Sequence, residues 1–196
     1  MRLFALLAFA QACSDDADPC AGGVAVGDLD AGVEMEIVVQ AGCAATPVAD
    51  GGTIPLIEPP QGGKVIIAGA RVRNIMNKRV RVSGWLRDTD SPNVFGLVIQ
   101  TVLLDVDGEG WLIPRNPASI DNYANIAACP SQGLPRDVHD QPWRLGIRVE
   151  DCGGRMAEKE ILVTPTCAVT DPASCIPEVT IPCDCQCDMS YSGSCP

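Results

Sequence analysis

The chain has 196 residues, a formal net charge of −11, and 46% hydrophobic but only 4% aromatic residues. That length supports one domain with a real core plus additional segments. Nucleic-acid phosphates would repel so acidic a chain, which argues against general nucleic-acid binding; the acidity serves solubility. Nineteen glycines and sixteen prolines imply many turns and short elements, as in an all-β domain, rather than long helices. Eleven cysteines would be a liability in a reducing cytosol but form a disulfide framework in an oxidising compartment.

At the start of the chain, Arg2 precedes an apolar run from Leu3 to Ala10. The run is too short for a permanent membrane span, which needs about 20 apolar residues. Residues 1–12 therefore read as a signal peptide. Next come Ala10-Gln11-Ala12-Cys13 and the acidic stretch Ser14-Asp15-Asp16-Ala17-Asp18. This region resembles the bacterial lipobox, with Ala10 where that pattern usually has Leu. The resemblance implies a lipid on Cys13, which becomes the first mature residue and ties the chain to a membrane. Ser14 in the place of a retention-signal Asp implies the outer membrane, with the domain facing the periplasm or the exterior. Ala10-Gln11-Ala12 also fits an ordinary signal-peptidase site. Cysteine parity favours the lipid: with Cys13 set aside, Cys20, Cys43, Cys129, Cys152, Cys167, Cys175, Cys183, Cys185, Cys187 and Cys195 remain as disulfide candidates, enough to pair completely. Residues 13–32 read as a flexible, lipid-anchored linker.

Residues 33–166 carry the periodic sequence. Val33, Met35, Ile37 and Val39 lie on one face of residues 33–39, Val80, Val82 and Leu86 alternate with Arg79, Arg81 and Arg87, and Trp143, Leu145, Ile147 and Val149 alternate with Arg144, Gly146 and Arg148. A period of two means half-buried strands. Residues 95–104 are almost continuously apolar, which predicts a central strand covered on both faces. Further strands are expected at 64–73, 122–128 and 157–163, with turns at Asn74–Asn77, Asp107-Gly108 and Cys152-Gly153-Gly154. Seven or more such strands predict an immunoglobulin-like antiparallel β-sandwich. Residues 167–196 are rich in Pro and Cys and predict an irregular, disulfide-rich tail.

Three segments carry a wider resemblance: Pro59-Pro60-Gln61-Gly62-Gly63 ahead of a strand, Asn125 to Pro130, and Trp143 to Asp151 continuing through Gly154-Arg155 to Pro165-Thr166-Cys167. They resemble bacterial secreted lipoproteins of unknown function that contain an Ig-like sheet. The resemblance spans residues 33–167 and implies a fold and a compartment, but no activity.

Several residues could carry chemistry. Cys183-Asp184-Cys185-Gln186-Cys187 brings three thiols together, with Met189 nearby. They could bind copper or zinc as thiolates, although the C-x₂-C spacing usual for zinc is absent and an oxidising compartment favours disulfides. Asp105, Asp107 and Glu109 resemble the front of a calcium loop, but Asn116 stands where a bidentate Glu would close it, and a strand-connecting turn explains the same residues. Arg71, Arg73, Lys78, Arg79, Arg81 and Arg87 could form a patch for an anionic glycan or acidic protein, or could pair across strands with carboxylates such as Glu34 and Glu36. His139, the single histidine, lies among turn-forming residues without a nucleophile motif and reads as a surface residue. The sequence thus predicts a non-enzymatic envelope protein without a cofactor, acting as a binding or structural module. A metal-handling protein that uses the Cys-rich tail is the alternative.

Overall fold

The computed structural model of the chain describes residues 20, 23–59, 63–129 and 134–167. The leader, Cys13, the tail cysteines Cys175, Cys183, Cys185, Cys187 and Cys195, and Met189 lie outside the described residues. The strands are β1 (Glu34–Ala41), β2 (Ala44–Pro47), β3 (Gly52–Leu56), β4 (Lys64–Arg73), β5 (Arg79–Asp88), β6 (Val94–Val106), β7 (Leu112–Pro114), β8 (Ala124–Cys129), β9 (Trp143–Glu150) and β10 (Met156–Cys167). A 3₁₀ turn, Ile120–Asn122, leads into β8.

The all-β expectation holds, but the strands do not separate into two sheets. They form one open sheet in the order β2-β1-β4-β7-β6-β5-β9-β10-β3, with β8 also paired to β4. The reason is β6, which pairs with β5 from Val94 to Leu103 and with β7 from Leu104 to Val106, so it belongs to both wings. Nor is the sheet purely antiparallel, because β3 runs parallel to β10.

The period-two pattern decides which side chains go inside. Val80, Val82 and Leu86 of β5 and Trp143, Leu145, Ile147 and Val149 of β9 are buried, while Arg79, Arg81, Arg144 and Arg148 are exposed on the opposite face. Each fully buried aliphatic side chain contributes roughly 1.5–3 kcal/mol. These residues share one core with Ile37 and Val39 of β1 and with Ile66 and Ala68 of β4. The two wings approach closely where β8 crosses β5, and a Cβ on Gly84 would come within 2.6 Å of the Ala124 Cβ. A smaller cluster of Val38, Ile57, Ile67 and Tyr123 covers the other face of β1 and β4.

Two local expectations change. First, β6 is not covered on both faces: Leu97 and Ile99 are 58% and 60% exposed. Among the described residues no strand flanks β6 there except β5. A continuous apolar run does not reveal how many neighbours a strand has. Second, residues 23–32 of the expected linker are held against the domain. Val26 bridges to Ile75. Asn74 accepts from Asp28 N through Oδ1 and donates to Gly32 O through Nδ2, each at 2.9 Å. Arg155 donates to Ala31 O. Asn74 sits at φ 62°, a left-handed position that Asn tolerates better than most residues.

Candidate functional site

The cysteines are the first group to be placed. Cys20 and Cys152 form a disulfide across 132 residues, with Cα atoms 5.3 Å apart. Cys43, Cys129 and Cys167 are disulfide-bonded as well. All five candidates among the described residues are therefore oxidised. Beside Cys152, Asp151 organises the β9–β10 turn. Its Oδ1 accepts from Gly153 N and Arg155 N at 2.8 and 2.9 Å, and its Oδ2 accepts from Met76 N at 3.0 Å. One carboxylate thus joins the turn that carries the disulfide to the β4–β5 connection.

The arginine cluster resolves largely into cross-strand pairs. Glu34 lies opposite Arg73 and Glu36 opposite Arg71 in the β1–β4 register. Arg71 pairs with Glu36 at 2.8 Å, and Arg73 pairs with Glu34. On β5, Arg81 pairs with Glu150, and Arg87 with Glu160 at 2.8 Å. Arg71 and Arg73 also lie over Trp111, their guanidinium carbons 4.9 and 4.7 Å from the ring centroid. That contact follows from their shared face at i and i+2, but nothing in the sequence identifies Trp111 as the partner.

The acidic loop takes its turn form. Asp107 Oδ1 accepts from Glu109 N and Trp111 N at 2.8 and 2.9 Å, while Asp105 is engaged by Arg115 at 3.0 Å. Among the described residues no group of three His, Cys, Asp or Glu side chains is arranged to hold a metal. His139 Nε2 lies 3.3 Å from Asp140 Oδ2, in a segment where Asp140 adopts φ 55°.

The feature the sequence did not reveal lies on the outer face of β5 and β6. A hollow of about 220 Å³ is lined by Arg79, Arg81, Thr101, Glu150 and Cys152, among others. It opens beside the exposed stripe of Leu97, Ile99 and Thr101. Arg79, Arg81 and Thr101 come together because Arg81 faces Thr101, and Arg79 faces Leu103, in the β5–β6 register. Glu150 and Cys152 arrive from the end of β9, since Glu150 is the register partner of Arg81. The surface therefore combines an apolar strand, two guanidinium groups and a disulfide-fixed turn.

The fold and this surface define the class: a disulfide-linked all-β domain in which, among the described residues, β6 has an unpaired edge. The chain matches no family model, no curated protein and no solved structure.

Proposed function

We propose that this chain is an exported, lipid-anchored protein of the bacterial cell envelope whose Ig-like domain serves as a non-enzymatic binding or structural module. The observation that carries this reading is the oxidation of every described cysteine, Cys20, Cys43, Cys129, Cys152 and Cys167. Such a set persists in an oxidising compartment and not among cytosolic thiols. The short apolar leader and Cys13 supply the route out and the anchor. Although β6 joins all the strands into one sheet, the close approach of β8 to β5 and the single core shared by both wings support an Ig-like packing of one wing on the other. The lipid would concentrate the domain at the outer membrane, where its outer face meets protein or glycan partners.

The test is an intact mass of the natively purified mature protein, with thiol alkylation before and after reduction. The expected result is a chain that begins at Cys13 and carries acyl groups, takes no label when denatured without reductant, and labels the remaining ten cysteines after reduction. An unacylated Cys13 would remove the anchor. Several free or metal-blocked thiols in the tail would replace this reading with metal handling.

A further inference from the structure

Among the described residues, β6 between Leu97 and Val102 is paired with β5 on one side and with no strand on the other. Neighbouring bonds fix the direction of its backbone groups. Leu104 N donates to Lys78 O on the β5 side at 2.8 Å. Leu103 instead points away from β5: its N donates to Asn122 Oδ1 at 3.0 Å, and its O accepts from Arg115 N at 2.8 Å. Direction alternates along a strand, so the N–H and C=O of Ile99 and Thr101 share the direction of Leu103 and point into the open edge. Their side chains, with that of Leu97, stand on the exposed face. From Val94 to Leu104 there is neither a charged residue nor a proline, the devices that ordinarily keep an edge strand from recruiting another. The register shift between Gly84 and Leu86 and the φ of 60° at Gly96 mark a bulge at one end of this stretch.

The hollow beside Thr101 adds charge. Arg81 is engaged by Glu150, and both carboxylate oxygens of Asp151 accept backbone N–H groups. Arg79 is exposed and forms no ion pair among the described residues.

We propose that the open edge of β6 is a strand-addition site for an extended polypeptide segment with apolar residues at alternate positions and a carboxylate near the end that reaches Arg79. The proposal rests on reading the domain as a binding module and names the chemistry of its partner. Only another polypeptide backbone offers donors and acceptors at the strand repeat that Ile99 and Thr101 present. Leu97 and Ile99 would pack against apolar neighbours on the added strand. A second copy of this edge would meet the backbone groups equally well. Its own residues from Val94 to Leu104 carry no carboxylate, however, and leave Arg79 unmet. Charge complementarity therefore favours a foreign acidic segment.

The probe is a synthetic peptide of alternating threonine and valine ending in two aspartates, added to the full disulfide-bonded chain. The expected result is saturable binding, with amide exchange at Ile99 and Thr101 slowed by about tenfold or more. Ile99→Lys abolishes this protection, and an unchanged thermal midpoint shows that the variant is folded. Arg79→Gln weakens the aspartate peptide by about two- to fivefold and leaves an asparagine-ended peptide unaffected. Unchanged exchange at Ile99 and Thr101 under saturating peptide would overturn the proposal. A concentration-dependent doubling of mass without peptide, with both amides already protected, would also overturn it by assigning the edge to a second copy. Neither failure touches the mass of Cys13 or the thiol count, so the broader reading stands or falls separately.

Discussion

The indole of Trp85 reaches across Gly146 to Glu160. Trp85 is the register partner of Gly146, and Gly146 of Glu160, so the three form one row over β5, β9 and β10. Trp85 Nε1 donates to Glu160 Oε1 at 2.8 Å, and a Cβ on Gly146 would come within 2.1 Å of the indole Cε2. The glycine is required here by close approach of the ring. Gly146→Ala should lift the indole and break the bond to Glu160, costing about 1–3 kcal/mol, the usual range for overpacking. Denaturant unfolding reads the loss. Unchanged stability together with unchanged tryptophan emission would refute this role for Gly146.

Asn74 is the clasp between the N-terminal segment and the sheet. Besides its bonds to Asp28 and Gly32, its Nδ2 lies 3.3 Å from Glu34 Oε1. Asn74→Ala should cost about 1–3 kcal/mol, from two lost hydrogen bonds of about 0.5–1.5 kcal/mol each, and Ala gains nothing from the left-handed backbone. Asn74→Gly relieves the backbone and loses only the side-chain bonds, so the difference between the two variants isolates the conformational part. Protease cutting within residues 23–32 should quicken in both. Equal stability of wild type and Asn74→Ala would show that the side-chain bonds contribute nothing.

The alternating segments were legible because their chemistry is local. The apolar residues of β5 and β9, and the pairing of Glu34 and Glu36 with Arg73 and Arg71, follow from period-two spacing and charge. Strands β2, β3 and β7 were not legible: they are short and contain Pro47, Pro55 and Pro114 respectively, which read as punctuation. The apolar run of β6 was seen, but its exposure was not, because coverage depends on which distant strands lie beside it. For the same reason the hollow at Arg79, Arg81 and Glu150 could not be read from the chain. It exists only where β5, β6 and the end of β9 meet. Cys20 and Cys152 were both candidates, but their pairing required knowing that the N-terminal segment returns to the β9–β10 turn.

Acid should weaken the fold through three carboxylates. Glu34 is held below the ordinary carboxylate range chiefly by its hydrogen bond from Arg73, with burial working against that shift; Asp88 is lowered in the same way by Arg136, and Asp105 by Arg115. A depressed folded-state pKa means that the unfolded chain takes up protons first. The stabilisation is therefore complete above the unfolded value of about 4 and is lost as pH falls through the lower folded values. Denaturant midpoints should be level from neutral pH to about 5 and should drop below about 4. Joint replacement Glu34→Gln, Asp88→Asn and Asp105→Asn should lower stability at neutral pH and flatten the acid limb. A limb just as steep in the triple variant would assign the acid sensitivity to other groups.

The Cys20–Cys152 disulfide fixes where the N-terminal segment meets the domain. Only six residues separate Cys13 from Cys20, so an anchor on Cys13 would place the β9–β10 turn, and the hollow that Cys152 lines, near the membrane end of the molecule. The bond also closes a loop spanning nearly the whole domain, and removing a native disulfide from a small domain costs about 2–5 kcal/mol. Cys20→Ser with Cys152→Ser should lose stability in that range and expose residues 23–32 to protease. Val26 and Asn74 would still hold the segment to the β4–β5 connection, so its release should be partial at low temperature and complete on warming. Amide exchange of Val26 and Asp28 measures this directly. Protection of Val26 equal to that of the wild type at every temperature would show that Asn74 and the Val26–Ile75 bridge suffice, and that the disulfide serves the unfolded chain alone.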